Sequence, residues 1–235
     1  MRFLRRRWKL LIVAVVVAIG VGVVAIPYIY IHFINKPAPR LTFENRDKER
    51  ARSGDTMTGE SAAETAAAAT SSLDGNWKVS SGTAGYRVKE TLNGQATEGV
   101  GRTPKVEGSF TLAGTSVTAG EFSIDVSSLE SDQTRRDNQV RTRLLNTAEF
   151  PVSTFVLDKP IDLGPLPADG VTISVSGTGT LSLQARRAAE TIEVVANAPI
   201  TFADFGIEDP SVSPFVSVGP VGTLEVSLVL GRTTP

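Results

Sequence analysis

Two hydrophobic patterns divide this chain. Residues 10–34, LLIVAVVVAIGVGVVAIPYIYIHFI, are apolar almost throughout, whereas from Trp77 onward apolar and polar residues alternate in short stretches. A continuous apolar run of 25 residues predicts a helix of about 37 Å, enough to cross roughly 30 Å of bilayer hydrocarbon. Alternation predicts half-buried strands, because successive side chains of a strand point to opposite faces.

Tyr86-Arg87-Val88 opens the first predicted strand. Val106, Gly108, Phe110 and Leu112 mark the second, Phe122, Ile124 and Val126 the third, and Phe155 and Leu157 the fourth. The longest alternation runs from Val171 through Ile173, Val175, Gly177, Gly179 and Leu181 to Leu183. After it come Glu190–Ala196, Pro199–Phe202, Phe215–Val218, and the series Leu224, Val226, Leu228, Leu230. Near-regular spacing with Gly and Pro between the segments predicts an antiparallel sandwich or barrel. Gly177 and Gly179 predict a bend at a barrel corner or a close backbone approach. Only about Asp132 to Asn146 reads as helix, with Val140 and Leu144 one turn apart. The predicted inward face comprises Tyr86, Val88, Phe110, Phe122, Phe155, Ile173, Val175, Leu181, Phe202 and Leu228, with the smaller Val226 on the same parity. Period two identifies a buried face and leaves open whether it encloses solid core or a hollow.

Charge orients the apolar run. Arg2, Arg5, Arg6, Arg7 and Lys9 precede it, and basic residues concentrate on the cytoplasmic side of a membrane. The expected organisation is a cytoplasmic basic segment at 1–9, a transmembrane anchor at 10–34, a flexible linker at 35–72 and a β domain at 73–232. The C-terminal domain is then extracytoplasmic. A cleaved signal peptide is the rival, but its apolar region usually spans about 7–15 residues. Here Leu10 to Ile26 already exceeds that, and Val23-Val24-Ala25 is a poor cleavage pattern. In the linker, ESAAETAAAATSS at 60–72 has no apolar face to dock a helix. As a coil, 35–72 has an r.m.s. span of roughly 35 Å.

All 25 acidic residues lie beyond residue 40, with 17 of the 24 basic ones, so residues 41–235 carry a net charge of −8. An acidic domain argues against nucleic acid as a partner. With no cysteine, disulfides, thiolate metal sites and cysteine nucleophiles are excluded. The single histidine, His32, belongs to the apolar run, so the β domain has no imidazole for a Ser-His-Asp triad. No catalytic residue, metal site or cofactor is expected. The strand carboxylates Glu107, Glu121, Asp125, Glu193 and Glu225 alternate against apolar neighbours and are expected to face solvent. Arg135, Arg136, Arg141 and Arg143 cluster on the predicted helix. Guanidinium groups bind phosphate bidentately, which makes Arg135 and Arg136 candidate head-group contacts. The alternative is a solvated helix face, or an Arg–Asp pair locking the helix to the barrel. Asp204-Phe205-Gly206 spells the kinase metal-binding triplet without any of its companion motifs and is read as chance.

Several motifs follow one another in a fixed order: Trp77-Lys78-Val79, Ala84-Gly85-Tyr86-Arg87-Val88, Gly108-Ser109-Phe110-Thr111-Leu112 and Asp125-Val126-Ser127-Ser128-Leu129. Arg135-Arg136-Asp137, Phe150-Pro151-Val152-Ser153-Thr154-Phe155, Gly177-Thr178-Gly179-Thr180-Leu181-Ser182-Leu183, Phe205-Gly206-Ile207 and Gly222-Thr223-Leu224-Glu225 complete the series. The ordered set, over about 73–232, resembles the YceI-like family of polyisoprenoid-binding proteins, particularly its membrane-anchored actinobacterial branch. The resemblance implies an all-β fold: an eight-stranded antiparallel lipocalin-like barrel with one short helix, here preceded by the transmembrane helix. It also implies that the ten inward-facing residues line an apolar lumen that sequesters or carries an isoprenoid lipid, of quinone or polyprenyl phosphate type. Members usually carry Leu-Thr-Leu-x-Gly-x-Thr after the long strand. Leu181-Ser182-Leu183-Gln184-Ala185-Arg186-Arg187 lacks the Gly and the Thr, so the following hairpin is expected to differ. A ligand-free β-sandwich or barrel serving as an envelope interaction module is the runner-up. A carboxylate enzyme acting on a lipid-linked substrate is a third reading.

Overall fold

Alternation in the sequence becomes one antiparallel sheet of eleven strands in the computed structural model. The structure describes residues 17, 20–22, 25, 28, 29, 36–53, 73–166, 168–176, 182–211 and 216–233. A helix α1 (Phe43–Ser53) precedes the sheet. The strands are β1 (Gly75–Leu92), β2 (Gln95–Thr103), β3 (Val106–Ala113), β4 (Ser116–Asp125), β5 (Glu130–Ser131), β6 (Val152–Val156), β7 (Ile161–Asp162), β8 (Thr172–Ser176), β9 (Ser182–Ala188), β10 (Thr191–Thr201) and β11 (Val216–Arg232). A second helix, α2 (Thr134–Gln139), lies between β5 and β6 and continues as a π turn through Val140–Leu144.

The longest strands, β1 and β11, form the spine. They pair from Trp77↔Arg232 to Leu92↔Val216, with register shifts between Val79 and Ser81 and between Val88 and Glu90. Such bulges bend and twist the strands, which curls the sheet. On its other edge β1 has two partners in succession: Gly75–Lys78 pair with β3, and Ala84–Leu92 pair with β2. β2 and β3 are thus one path broken at Pro104-Lys105, where Pro has no N–H to offer a ladder.

The interior has two distinct halves. Around the N-terminal half of β1 it is solid: Trp77, Val106, Leu112, Ile192, Leu228 and Leu230 form the core. The Trp77 ring stacks on Phe110 with centroids 6.4 Å apart, and its Nε1 donates to the Leu73 carbonyl at 2.9 Å. Beyond Ala84 the same inward face carries Tyr86, Val88, Glu90 and Leu92, and the interior there is hollow.

Several expectations are corrected. The eight strands β6-β4-β3-β1-β11-β10-β9-β8 follow one another in a continuous path, but the end strands β6 and β8 do not pair, so the sheet is open rather than a closed eight-stranded barrel. Phe155 shows the consequence. It lies directly across from Phe122 and shares its face, yet it is 52% exposed because no strand closes over it. The long alternation from Val171 to Leu183 is a hairpin rather than one strand. Ser176 pairs with Ser182 and Ile173 with Ala185, so the chain reverses between them; 177–181 lie outside the described residues. After Leu183, β9 runs on to Ala188, and the turn into β10 places the non-glycine Ala189 at φ 51°, its N–H held by Asp169 Oδ1.

Of the predicted anchor, most residues lie outside the described set; Val17, Gly20, Val21, Gly22, Ala25, Tyr28 and Ile29 are helical. Among the described residues no helix is long and apolar enough to cross a membrane. The expected flexible linker differs over 36–53, which is docked on the outer face of the sheet. Its remaining part, 54–72, lies outside the described residues. Phe43 is buried beneath the Arg186 guanidinium, 4.5 Å from the ring centroid. Arg46 and Arg50 both reach Glu193, at 3.2 and 3.0 Å, and Asp47 pairs with Arg186. Glu193 and Glu225 do project from the outer face, as their parity predicts, but this strap covers them, leaving 1% and 0% exposure. Charge pairing rather than an apolar stripe holds the segment. No hydrophobic pattern announces it.

Candidate functional site

The hollow half is a cavity of about 620 Å³, within the roughly 300–1,000 Å³ usual for small-molecule sites. Three groups of elements build it. β1 supplies Ala84, Tyr86, Val88, Glu90 and Leu92 from its inward face. β11 and the end of β10 supply Val216, Val218, Leu224, Val226 and Ile200, with Phe202 just beyond. The third wall is the excursion between β4 and β6: Ile124, Val126 and Leu129, then α2 and its π turn with Val140, Leu144 and Leu145, and finally Phe150 and Val152. A π turn inserts an extra residue per bond into a helix. Here it closes with the Leu145 N–H donating to the Val140 carbonyl at 2.9 Å, and Val140, Leu144 and Leu145 all line the cavity.

Small residues create part of the space. Gly222 faces the cavity, where an added Cβ would meet the Phe202 ring at 3.0 Å. Gly101 on β2 lies under Tyr86, and a Cβ there would collide with the ring. Glycine at 101 therefore lets Tyr86 lie flat against the wall. Burial pushes the Tyr86 hydroxyl above its ordinary pKa, and its Oη has no hydrogen-bond partner among the described residues.

One polar cluster interrupts the apolar lining. Glu90 accepts two bonds from Arg136, at 3.0 Å to Nε and 2.8 Å to Nη2, and Arg136 also pairs with Asp132 one turn earlier. Burial alone lowers the Arg136 pKa, but the Glu90 and Asp132 carboxylates outweigh it and hold the guanidinium above its ordinary value. Asp137 is buried and accepts from the Ser131 N–H and hydroxyl, which fixes the start of α2 to β5. Arg136 thus locks the helix to β1 of the open sheet. Arg141 and Arg143 are likewise spent on backbone carbonyls, of Leu129 and of Asp209 and Ser211. Arg135 is different: it lines the cavity and is exposed, with no carboxylate paired to it among the described residues.

The predicted lumen residues divide. Tyr86, Val88 and Phe202 line the cavity, as does Val226. Phe110, Phe122 and Leu228 face inward but belong to the solid half. Phe155 sits at the open edge and Ile173 on the edge hairpin, both away from the cavity wall. The side chain of Val175 and all of Leu181 lie outside the described residues. Sequence reasoning missed Leu92, Leu144, Leu145, Phe150, Ile200 and Leu224. Leu224 had a usable signal, since it shares parity with Val226 and Leu228; the helix and loop contributors had none.

The YceI-like domain family matches residues 56–230. Among solved structures, a polyisoprenoid binding domain from Saccharophagus degradans implicated in plant cell wall breakdown is 14% identical. That match covers 67% of this chain and 98% of that one, with a TM-score of 0.49. BcnA of Burkholderia cenocepacia is 18% identical, covering 63% of this chain and 95% of that one, with a TM-score of 0.45. No curated protein matches. The ordered motifs and a family match over most of its length establish that this chain belongs to the YceI-like domain family.

Proposed function

We propose that this protein binds one isoprenoid lipid in the hollow half of its sheet and carries or shelters it outside the cytoplasm, without chemistry. The observation that carries the proposal is the apolar cavity of about 620 Å³ with a cation on its wall, Arg135, that no carboxylate among the described residues pairs. Aliphatic and aromatic side chains would hold the tail, at about 0.8 kcal/mol per buried CH₂. Leaving the bilayer forfeits nearly the same amount, so net transfer is close to neutral, as loading and unloading require. Arg135 would meet an anionic or strongly polar head, of polyprenyl phosphate or quinone type. No cofactor is part of this reading. The uninterrupted apolar run at 10–34 and the basic residues before it support a membrane-anchored protein of the actinobacterial type, with the N-terminus inside.

The test compares the full chain with Leu224→Trp, which fills the cavity from β11. Both are purified in the same detergent, and lipid is extracted and quantified per mole of protein. An isoprenoid species recovered from the wild type and depleted in the variant supports the proposal. Equal recovery from both would leave an interaction module as the better account.

A further inference from the structure

The docked segment 36–53 fixes more than its own position. Its contacts begin over one half of the sheet and end over the other. At its start, the Ala38 carbonyl accepts from Arg87, the Pro39 carbonyl from Arg102, and Arg40 pairs with Glu98 at 2.9 Å. Arg87 and Glu98 belong to the hollow half, where Glu98 pairs with Lys89 and Arg87 with Val100. Further along, Arg46 and Arg50 hold Glu193, which pairs with Val229, itself opposite Ser81 near the solid half. The segment therefore descends from the hollow half toward the solid half as the sequence advances, and the chain before Ala38 points toward the hollow end.

From Ala38 back to the last residue of the apolar run, Ile34, are four residues, at most about 14 Å of extended chain. Pro37 and Pro39 hold the described part of that stretch, 36–39, extended. A free coil over 35–72 would have left the domain to tumble on a leash of roughly 35 Å. Docking removes that freedom over its first half. We infer that the strap holds the domain with its cavity end facing the bilayer, so that the partner of that end is the lipid surface itself. Phe205 and Val221, exposed at this end beyond β10 and on β11, add apolar contact area there. The inference rests on the anchor reading above and adds the orientation.

The chain has no cysteine, which permits single-site labelling. In the full chain reconstituted into phosphatidylcholine–phosphatidylglycerol vesicles, an environment-sensitive dye is placed by Thr91→Cys at the hollow end or Ala113→Cys at the solid end. Lipids carrying a head-group quencher read the distance of each. Quenching several-fold stronger at 91 than at 113 is expected. In a strap-loosened background, Phe43→Ala with Arg50→Ala, the difference should shrink while the protein still floats with the vesicles. Equal quenching at the two sites, or stronger quenching at 113, overturns the orientation and spares the anchor. A chain that does not float with vesicles overturns the anchor, and the orientation with it. Circular dichroism of each variant confirms that the domain is folded when it is measured.

Discussion

Trp77 and Leu230, on β1 and β11, are 2% and 0% exposed, whereas Leu224, on the same face of β11, is 43% exposed to an open interior. Both halves obey the same alternation of apolar and polar residues. They differ in what stands across the interior. In the solid half, Phe110 stacks on Trp77, with Leu112, Leu228 and Leu230 packed around them, and the ring systems fill the space between strands. In the hollow half, Ala84, Gly222 and Ser153 stand on the wall, and α2, tied to β1 through Arg136 and Glu90, lines the space with its π turn rather than filling it. Hydrophobicity thus decides which face turns inward, while side-chain volume decides whether that face encloses matter or space. An eight-stranded path is the size at which either outcome is available.

The comparison is most sharply tested by removing mass from each half. Leu230→Ala should cost about 3–5 kcal/mol, the range for a fully buried leucine whose surroundings cannot collapse. A urea midpoint nearly unchanged by this substitution would show that the solid half is looser than its contacts imply. Arg136→Ala should cost about 3 kcal/mol, because Glu90 is then left inside without a partner. Replacing both, Arg136→Met with Glu90→Leu, should restore most of that loss; if the double variant is no better than the single, the pair is not the cause. Leu224→Ala removes apolar surface from the cavity wall, so unfolding free energy should change by less than about 1 kcal/mol. Its affinity for a fluorescent prenyl lipid should fall by up to about 60-fold, from roughly 0.8 kcal/mol for each of the three carbons lost. Equal losses of stability at 224 and 230 would erase the distinction between the halves.

A smaller effect concerns the outer face. Burial raises the Glu193 carboxyl, but bonds from Arg186 and Arg50 and the charge of Arg46 outweigh it, and its pKa lies below the ordinary value. A carboxyl depressed in the folded state contributes stability above its unfolded pKa, near about 4.3, and that contribution fades as pH falls through the folded value. The protection of α1 amides, taken relative to their intrinsic exchange rates, should therefore be flat around neutrality and fall below about pH 4.3, ahead of protection in β1 and β11. Synchronous loss of protection in all three would mean that the strap opens only with the sheet.

Much of this fold is legible in the sequence, for reasons that can be named. β3, β4, β10 and β11 bury one face, so period two marks them, and the helix expected near 132–146 appears at 134–144. β2 escapes the pattern because QATEGVGRT offers one large apolar residue, Val100, and two of its inward positions, 99 and 101, are glycines that make room for Glu90 and Tyr86. The β8–β9 hairpin was read as one strand because parity continues through Gly177 and Gly179. The cavity could be anticipated only in part. Tyr86, Val88 and Phe202 follow from strand parity, but Leu144, Leu145 and Phe150 reach the site through the path of a short helix and a loop, which local pattern does not encode. The strap was invisible for another reason: it docks by arginines finding carboxylates more than a hundred residues away.

That last feature bears on how the molecule is handled. The family-matched span begins at residue 56, after the strap has ended. A protein trimmed to that span would keep the sheet except for the last two residues of β11, and would lose Arg46 and Arg50 from Glu193, and the Ala38 and Pro39 carbonyls from Arg87 and Arg102. Its outer face would then present a bare row of mixed charge and an uncovered Arg186 where Phe43 had rested. Poor solubility or altered self-association in such a fragment would be a product of the cut, and a start at residue 36 avoids it.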